Sequence, residues 1–188
     1  IIAHCPERVN PGDSVNTVQT TSRVIGCDDA EVGDRLGEMY RRITTGQVLR
    51  VSSIEVAETS KVVENAQRAV NIAFVNELSR SLPLLGLDAD EVLRASGTKW
   101  NFHKYKPGVG VGGHCIAVDP HFLVHCFSRA GVPPDLLTGA LSINSSQPEY
   151  VGSTIVEYFN AVASAPKAAR PTALVLGHTY KPNVGDYR

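Results

Sequence analysis

The sequence predicts a predominantly helical middle, flanked on each side by a piece of α/β structure. Short strand-like runs and one helical pattern alternate before residue 52, which is typical of an α/β domain. The longest periodic segment follows over residues 54–81, and a strand-like run returns at 172–177. Because the chain begins within one strand-like run and no helical pattern follows the last, we expect it to be the middle of a longer protein.

Composition and charge are those of an ordinary soluble globular protein. Hydrophobic residues make up 43% of the 188 residues and charged residues 20%, and the formal net charge is −1. That charge gives no electrostatic basis for binding nucleic acid or an anionic membrane, so neither partner is expected. No apolar run approaches the roughly 18 residues of a membrane span. The four cysteines lie far apart, which favours a reduced, cytoplasmic setting.

The first part of the chain predicts strand, loop, strand, helix and strand in that order. The loop is punctuated by prolines, and Glu7 and Arg8 lie at its centre. Two interpretations of this pair stay open: a functional pair on a rigid scaffold, or an exposed charged pair on a turn. Asp28 or Asp29 can cap the helix, which is expected to reach about Thr45. The strands on either side of that helix are predicted at 23–26 and 47–51.

A Ser-Ser-Ile-Glu capping box at 52–55 starts the longest predicted helix, which runs over about 54–81. Apolar residues surround nearly all of it, which predicts burial on most sides or an interface between subunits. Lys61, Asn65 and Arg68 form one polar stripe along it at i, i+4 and i+7. Such a stripe is either a set of buried groups that need partners or a solvated face, and the sequence leaves both open.

The chain after this helix predicts further helices. A Leu-Pro-Leu-Leu-Gly run at 82–86 breaks or ends the long helix. Three helices follow, over about 89–96, 120–130 and 134–163. Asp88 and Asp119 are the predicted caps of the first two, and Pro148 can kink the third.

A glycine-rich loop leads into His114 and Cys115. Its glycines leave room for the close approach of a ligand or another backbone, and they are Gly108, Gly110, Gly112 and Gly113. The predicted helix start at Asp119 places Cys115 near a helix N-terminus. Backbone N–H groups and the helix dipole there favour a thiolate or a developing oxyanion, so we interpret Cys115 as the candidate reactive residue.

Three other interpretations of this loop stay open. The G-x-G-x-x-G spacing of its glycines matches a dinucleotide fingerprint, although no strand is predicted before it. The His-Cys pair could join His121, His125 and Cys126 in a metal cluster, although the usual zinc spacings are absent. A buried structural cysteine is the third, and the glycines argue against it because a core cysteine needs no glycine loop.

Five motifs occur in order along the chain, and together they carry a resemblance. They are Cys-Pro-Glu-Arg at 5–8, Glu-Thr-Ser-Lys-Val-Val-Glu-Asn at 58–65, Val-Asn-Ile-Ala-Phe-Val-Asn-Glu at 70–77, Gly-Gly-His-Cys-Ile-Ala-Val-Asp-Pro at 112–120 and Thr-Tyr-Lys-Pro-Asn at 179–183. With these motifs the chain resembles the nucleotide-sugar 6-dehydrogenases, the family of UDP-glucose and GDP-mannose dehydrogenases. The branch that acts on UDP-N-acetylhexosamines is the most similar.

The resemblance implies an α/β fragment dominated by an all-α central domain with a long dimerisation helix, flanked by pieces of two Rossmann-like α/β domains. Residues 1–52 would close an NAD-binding domain, 53–165 would form the central helical domain, and 171–188 would open a UDP-binding domain. NAD is the implied cofactor and a UDP-sugar the implied substrate, and the implied partner is a second copy bound through the 54–81 helix. Because the NAD fingerprint would lie before Ile1, the chain alone is expected to be inactive.

The implied reaction oxidises the sugar C6 alcohol to the acid through two hydride transfers to NAD. Cys115 matches the nucleophile that captures the aldehyde as a thiohemiacetal and then carries a thioester. Lys61 and Asn65 match residues that stabilise the oxyanion and position water. Glu7 matches a glutamate implicated in hydrolysing the thioester, and Asp119 matches a carboxylate that orders water beside the cysteine.

The resemblance also implies binding residues. Those expected to hold the substrate are Arg8, Tyr105, Gly108, Gly110, Gly112, Gly113 and Lys181. Arg188 matches a cofactor-binding position, and no metal site is implied. Cys27 and Gly185 depart from the family's pattern, which usually has a glycine at the first position and an acidic residue at the second. A non-catalytic helical dimerisation or binding module that keeps the pattern is the alternative function.

Overall fold

The computed structural model describes residues 1–9, 12–162, 172–179 and 185. These residues separate into two compact units, the first built on Ile1–Asn65 and the second on residues from Ala66 onward. Five α-helices and one three-stranded sheet make up the regular structure of the described residues, together with one short 3-10 helix. The predicted helix-rich middle is therefore confirmed. Among the described residues, no helix combines the length and apolar composition that a membrane crossing requires.

The first unit contains the sheet, in the order β1-β2-β3. Strand β1, Ala3–His4, pairs antiparallel with β2, Arg23–Cys27, and β2 pairs parallel with β3, Val48–Arg50. All five residues of β2 are buried, as expected for a central strand covered on both faces. Helix α1, Ala30–Arg41, connects β2 to β3 and packs against both strands. The predicted βαβ arrangement of this part of the chain is confirmed.

Helix α1 begins at the second of its two candidate caps and ends before its predicted boundary. The Asp29 side chain accepts a hydrogen bond from the Val32 N–H at 2.9 Å, which satisfies a donor of the first turn. The helix ends at Arg41 rather than near Thr45. The Arg42 N–H bonds to the Met39 carbonyl three residues earlier, which makes a tighter turn than that of an α-helix. The buried Thr44 hydroxyl then bonds to the Gln19 and Thr21 carbonyls and directs the chain into β3.

Helix α2 spans Ile54–Ser81, as predicted. Its cap lies one residue later than the predicted box, since the Ser53 hydroxyl accepts from the Val56 N–H at 3.3 Å. A hydrogen bond from Ser53 also lowers the pKa of Glu55. The 3-10 helix Leu82–Leu85 then ends the helical rod at Gly86, whose φ is 75°. The predicted break at 82–86 is therefore confirmed.

Burial along α2 is less complete than its apolar composition predicted. Four alanines and Val75 are buried on it, whereas Val56, Val63 and Phe74 are 44%, 49% and 51% exposed. The spacing of these three side chains is seven and then eleven residues, which places them on one face of the helix. A single chain therefore leaves an apolar stripe of α2 in contact with solvent, and burial on most sides is wrong for the chain by itself.

The second unit contains α3, Ala89–Ser96, α4, Asp119–Arg129, and α5, Asp135–Val162. Asp88 caps α3 by accepting from the Glu91 N–H at 3.0 Å, as predicted. The predicted cap at Asp119 is wrong: Val118 occupies that position, and Asp119 is the first helical residue. The reason is a turn just before the helix, in which the Cys115 carbonyl accepts the N–H of Val118 and of Asp119. Helix α4 packs against α5.

The strand predicted at 172–177 is wrong. Residues 172–178 carry no strand, and Leu174, Val175 and Leu176 are 82–85% exposed. An apolar run becomes a strand only when a neighbouring strand accepts its backbone hydrogen bonds, and no described strand lies beside this one. The predicted piece of a second sheet is therefore absent from the described residues.

Candidate functional site

In the first unit, the Glu7 carboxylate is held by two backbone amides and a buried arginine. One of its oxygens accepts the N–H groups of Arg8 and Val9, both at 2.7 Å. The Arg23 guanidinium reaches the same oxygen at 3.3 Å from a side chain that is 6% exposed. Because the Glu7 side chain itself is 68% exposed, the arrangement orients a carboxylate that still contacts solvent.

The pKa of Glu7 lies below its ordinary value as a result. Partial burial by itself would raise this pKa. The Val9 amide, the positive charge of Arg23 and the Arg8 amide all favour the ionised form, and together they outweigh burial. Glu7 is therefore an ionised carboxylate at neutral pH. Burial raises the pKa of the nearby Cys5 thiol, against the smaller opposing effect of a hydrogen bond with Tyr40.

Arg8 ties this loop to the first half of α2. Its guanidinium forms an ion pair with Glu64 at 2.7 Å and donates to the Ser22 carbonyl at 3.2 Å. His4 lies 3.9 Å from Glu58, one helical turn and a half before Glu64. The structure therefore brings the first and second sequence motifs together, as a functional loop packed on α2 would require. The interpretation as an exposed charged pair on a turn fits Glu7 only in part, because Glu7 is exposed but paired with Arg23. It does not fit Arg8, whose guanidinium is paired with Glu64 on α2.

The polar stripe of α2 combines both interpretations that the sequence left open. Asn65 is 5% exposed, so its amide belongs to the interior. Lys61, one turn earlier on the same face, is half-buried. Arg68 is exposed, so that end of the stripe is solvated. Lys61 and Asn65 thus present an ammonium group and an amide on one helix face.

In the second unit, Cys115 is exposed at the end of the glycine loop. Its carbonyl accepts the N–H of Val118 at 3.1 Å and that of Asp119 at 2.8 Å, so it joins directly to the turn that starts α4. Asp119 is half-buried and the next residue, Pro120, is fully buried. The alternative of a buried structural cysteine is therefore wrong, and the thiol is available for chemistry.

The loop before Cys115 approaches two helices closely. The Gly108 N–H donates to the Asn76 side-chain oxygen on α2 at 2.9 Å. Gly110 has a φ of 119°, and a Cβ atom there would lie 2.8 Å from the Asn144 carbonyl oxygen on α5. Gly110 is therefore required both by its backbone conformation and by the approach to α5.

The other predicted members of this loop are less constrained. Gly113 has a φ of 78°, which again favours glycine. Gly112 and Tyr105 are half-buried. Lys181 and Arg188 lie outside the described residues.

The alternative sites find no support in the geometry. Residues 97–118 contain neither strand nor helix, so the glycine spacing lacks the strand and helix that a dinucleotide fingerprint needs. Within the described part of the chain, no three His, Cys, Asp or Glu side chains lie close enough to share a metal ion.

Sequence reasoning missed the polar side chains that join α2 to α5. Asn76, Asn144 and Gln147 are 0%, 3% and 2% exposed. Arg80 binds Gln147, donates to the Ile143 carbonyl at 2.9 Å, and covers an aromatic ring of α5. An amide inside an otherwise apolar run such as 70–77 is the available signal, because a buried amide requires partners.

Comparisons with known proteins give the family. A family model described as "UDP-glucose/GDP-mannose dehydrogenase family, central domain" matches residues 55–146. The chain is 41% identical over 187 residues to Protein CapL of Staphylococcus aureus and 39% identical over 185 residues to a UDP-N-acetyl-D-glucosamine 6-dehydrogenase of Pseudomonas aeruginosa. These alignments cover 100% and 98% of this chain, and this chain spans 43% of the length of each relative.

A solved structure agrees. The UDP-N-acetyl-mannosamine dehydrogenase Cap5O from Staphylococcus aureus is similar with a TM-score of 0.78 at 32% identity, over 99% of this chain and 41% of that one. The match extends across the Glu7 loop, the whole of α2 and the Cys115 loop. On the five ordered motifs, the helix-rich fold and these comparisons, the chain belongs to the UDP-glucose/GDP-mannose dehydrogenase family, and residues 55–146 are its central domain.

Proposed function

We propose that this chain is the middle of an NAD-dependent dehydrogenase that oxidises the C6 alcohol of a UDP-N-acetylhexosamine to the uronic acid. The observation that carries the proposal is the exposed Cys115, held at a helix start by a glycine loop within the matched central domain. Relatives named as UDP-N-acetyl-D-glucosamine and UDP-N-acetyl-D-mannosamine dehydrogenases support this class of substrate. The chain spans 43% of the length of two of its relatives, so the proposed activity belongs to a larger protein.

The proposed domain division follows the resemblance. Residues 1–52 close an NAD-binding domain, 53–165 form the central domain and 171–188 open a UDP-binding domain. The described residues do not form a cradle for NAD, because the G-x-G-x-x-G spacing at 108–113 has no strand before it and no helix within it. NAD, when bound elsewhere in the enzyme, supplies the hydride acceptor.

Cys115 performs the covalent chemistry in this proposal. Its thiolate sulfur attacks the C6 aldehyde and forms a carbon–sulfur bond, which gives a thiohemiacetal. The adduct would then lose a hydride from C6 to the NAD held by the complete enzyme and a proton from its hydroxyl group, which leaves a thioester. Water then attacks the thioester carbon, the carbon–sulfur bond breaks, and the uronic acid leaves while Cys115 regains its thiol. The exposure of Cys115 supports this role, because both an aldehyde and water must reach the sulfur.

Lys61 and Asn65 stabilise the oxyanion that forms when the thiolate attacks the aldehyde and again when water attacks the thioester. An ammonium group and an amide N–H one helical turn apart can donate to the same oxygen. The burial of Asn65 supports the proposal, because donors removed from water interact more strongly with a developing charge.

Glu7 and Asp119 assist the attacking water as general bases. Glu7 is in the ionised form that a base requires, and its lowered pKa makes it a weak one. Asp119 lies at the first residue of α4, directly after the turn that Cys115 closes. Arg8, Tyr105, Lys181 and the glycines 108, 110, 112 and 113 bind the nucleotide sugar in this proposal, and Arg188 binds the cofactor. Since the Arg8 guanidinium already pairs with Glu64, substrate would share that charge.

The apolar stripe of α2 supports a further part of the proposal, a homodimer formed through this helix. Val56, Val63 and Phe74 are large apolar side chains on one helix face, and each is more than two-fifths exposed. A second copy of the chain can cover such a stripe with the same stripe of its own, as a two-fold interface requires.

The enzyme function is tested by replacing Cys115 in the complete protein. With a UDP-N-acetylhexosamine and NAD, we expect Cys115→Ser to abolish NADH formation, because a serine hydroxyl lacks the nucleophilicity of a thiolate at neutral pH. The matched control is Cys126→Ser on α4, since Cys126 is also exposed but has no role in the proposed mechanism. Normal activity in Cys115→Ser would refute the mechanism. A complete protein without any such activity would favour the non-catalytic module.

A further inference from the structure

Helices α2 and α5 are joined by a pair of buried amides. The Asn76 side-chain N–H donates to the Asn144 side-chain oxygen at 3.1 Å, and the Asn144 amide donates in turn to the Ala69 carbonyl at 2.9 Å. The two side chains are 0% and 3% exposed. Burial of an amide is unfavourable unless its hydrogen bonds are made, so both side chains are fixed in orientation.

The same pair holds the glycine loop. With its donor used by Asn144, Asn76 turns its oxygen to the Gly108 N–H at 2.9 Å. An apolar side chain of equal size could not accept that hydrogen bond. An interaction inside the helix pair therefore determines where the loop begins its approach to Cys115.

Pro148 provides the second contact with the loop. Proline has no N–H to donate to the carbonyl four residues earlier in a helix, and in α5 that carbonyl belongs to Asn144. Gly110 lies against this carbonyl, since a Cβ there would be 2.8 Å from its oxygen and 3.7 Å from Pro148 Cδ. The predicted kink position is thus where the loop meets α5.

Cys115 lies five residues after one fixed point of the chain and five residues before another. Gly110 is held against α5 on one side. On the other side, Pro120 is fully buried and Leu123 is 9% exposed at the start of α4. The position of the thiol therefore depends on the anchor at each end of the intervening segment.

We propose that Asn76 and Asn144 are positioning residues for Cys115: the Asn76 side chain holds the loop at Gly108, and the Asn144 side chain fixes the orientation of Asn76. This rests on the proposed function, in which Cys115 attacks the aldehyde. Loss of the amide pair releases the loop and displaces the sulfur from the reacting carbon. Displacement of a reacting group by about 1 Å can lower a rate by about 10²-fold, so removal of either amide lowers kcat at saturating substrate by about 10- to 100-fold.

The test uses the complete protein with Asn76→Ala and, as a matched control, Gln147→Ala. Gln147 is as buried and lies on α5, but its hydrogen bond is to Arg80. Hydrogen exchange of the peptide 109–115 is measured with kcat and thermal stability. We expect Asn76→Ala to exchange faster in this peptide and to lose kcat, whereas Gln147→Ala keeps both near the wild-type values at a comparable loss of stability.

Gly108→Pro is the second variant, because it removes the same N–H from the loop side and leaves both asparagine side chains in place. Gly108 is exposed and no atom lies within 4 Å of a Cβ there, so the loop has room to move away from Asn76, as the proline Cδ requires. Unchanged exchange of the peptide in either folded variant, or faster exchange with unchanged kcat, would overturn the positioning role. Full activity in Cys115→Ser would instead overturn the proposed function. The hydrogen-exchange result does not depend on whether Cys115 is catalytic, so the two failures can be told apart.

Discussion

At the scale of single residues, the state of Glu7 depends on contacts that its loop sequence does not show. The loop position of Glu7 and Arg8 was predictable from the prolines around them. Arg23, which holds Glu7 from sixteen residues away, was not, because it occurs in a strand where an arginine is normally expected at the surface. The depressed pKa of Glu7 thus follows from tertiary contacts and not from local sequence.

Replacement of Glu7 gives a pH-dependent change in stability. A carboxyl with a lowered pKa in the folded state contributes stability above its unfolded pKa, near 4.5, and loses it as the pH falls through the folded value. We expect wild type to exceed Glu7→Gln in unfolding free energy near neutral pH by less than about 1 kcal/mol, since solvent screens the exposed side chain. The difference should disappear below the folded pKa. Denaturant titrations between pH 7 and 3 measure it, and a difference that grows on acidification would contradict the assignment.

At the scale of elements, the sequence predicted helices well and their partners poorly. The bounds of α2 and the caps Asp29 and Asp88 follow from local periodicity and side-chain chemistry, and all three were predicted. Asp119 was predicted as a cap because the Asp-Pro pair usually marks one. The turn closed by the Cys115 carbonyl places the start of α4 one residue earlier than predicted. No residue type in the sequence predicts such a turn.

The candidate site shows the same division. Cys115 and its glycines were predictable, because the loop's composition is unusual within a short stretch. The amide pair that holds the loop was not, since Asn76 and Asn144 are 68 residues apart and each is ordinary in its own surroundings. The strand prediction at 172–177 was wrong for a related reason. A strand needs hydrogen bonds to a neighbouring strand, and its own sequence does not show whether that neighbour is present.

Two glycines associated with α5 predict opposite effects of alanine. Gly139 lies within the helix, and no atom lies within 4 Å of a Cβ there. Gly139→Ala should therefore stabilise the protein by about 0.5–1 kcal/mol, because alanine lowers the conformational entropy of the unfolded chain. Gly110→Ala should destabilise it, because its φ is 119° and the new Cβ meets the Asn144 carbonyl. Gly131→Ala separates these two causes, since Gly131 has a φ of 74° but open space around it. Thermal unfolding should rank Gly139→Ala highest and Gly110→Ala lowest, and equal losses for Gly110→Ala and Gly131→Ala would show that the contact with α5 is unimportant.

At the scale of the whole molecule, a single chain leaves one apolar face of α2 in contact with solvent. Its buried face carries alanines and the amide that binds α5. The stripe of Val56, Val63 and Phe74 contains residue types that normally lie inside a protein. Contiguous apolar patches beyond a few hundred Å² are uncommon on monomers and usually mark an interface. A two-fold dimer places each stripe against its own copy.

We therefore expect this chain to self-associate at micromolar concentration, and Phe74→Asp to weaken that association. Phe74 is 51% exposed in the single chain, so an aspartate there is tolerated by the monomer but would be buried without a partner in the dimer. Arg68→Asp is the matched control, because Arg68 is also exposed and lies about a third of a turn away around α2. Sedimentation equilibrium of the wild type and both variants measures the dissociation constant, with circular dichroism confirming that each is folded. A folded wild-type chain that sediments only as a monomer would contradict the proposed interface, and equal weakening by both substitutions would show that charge alone, and not the Phe74 stripe, controls association.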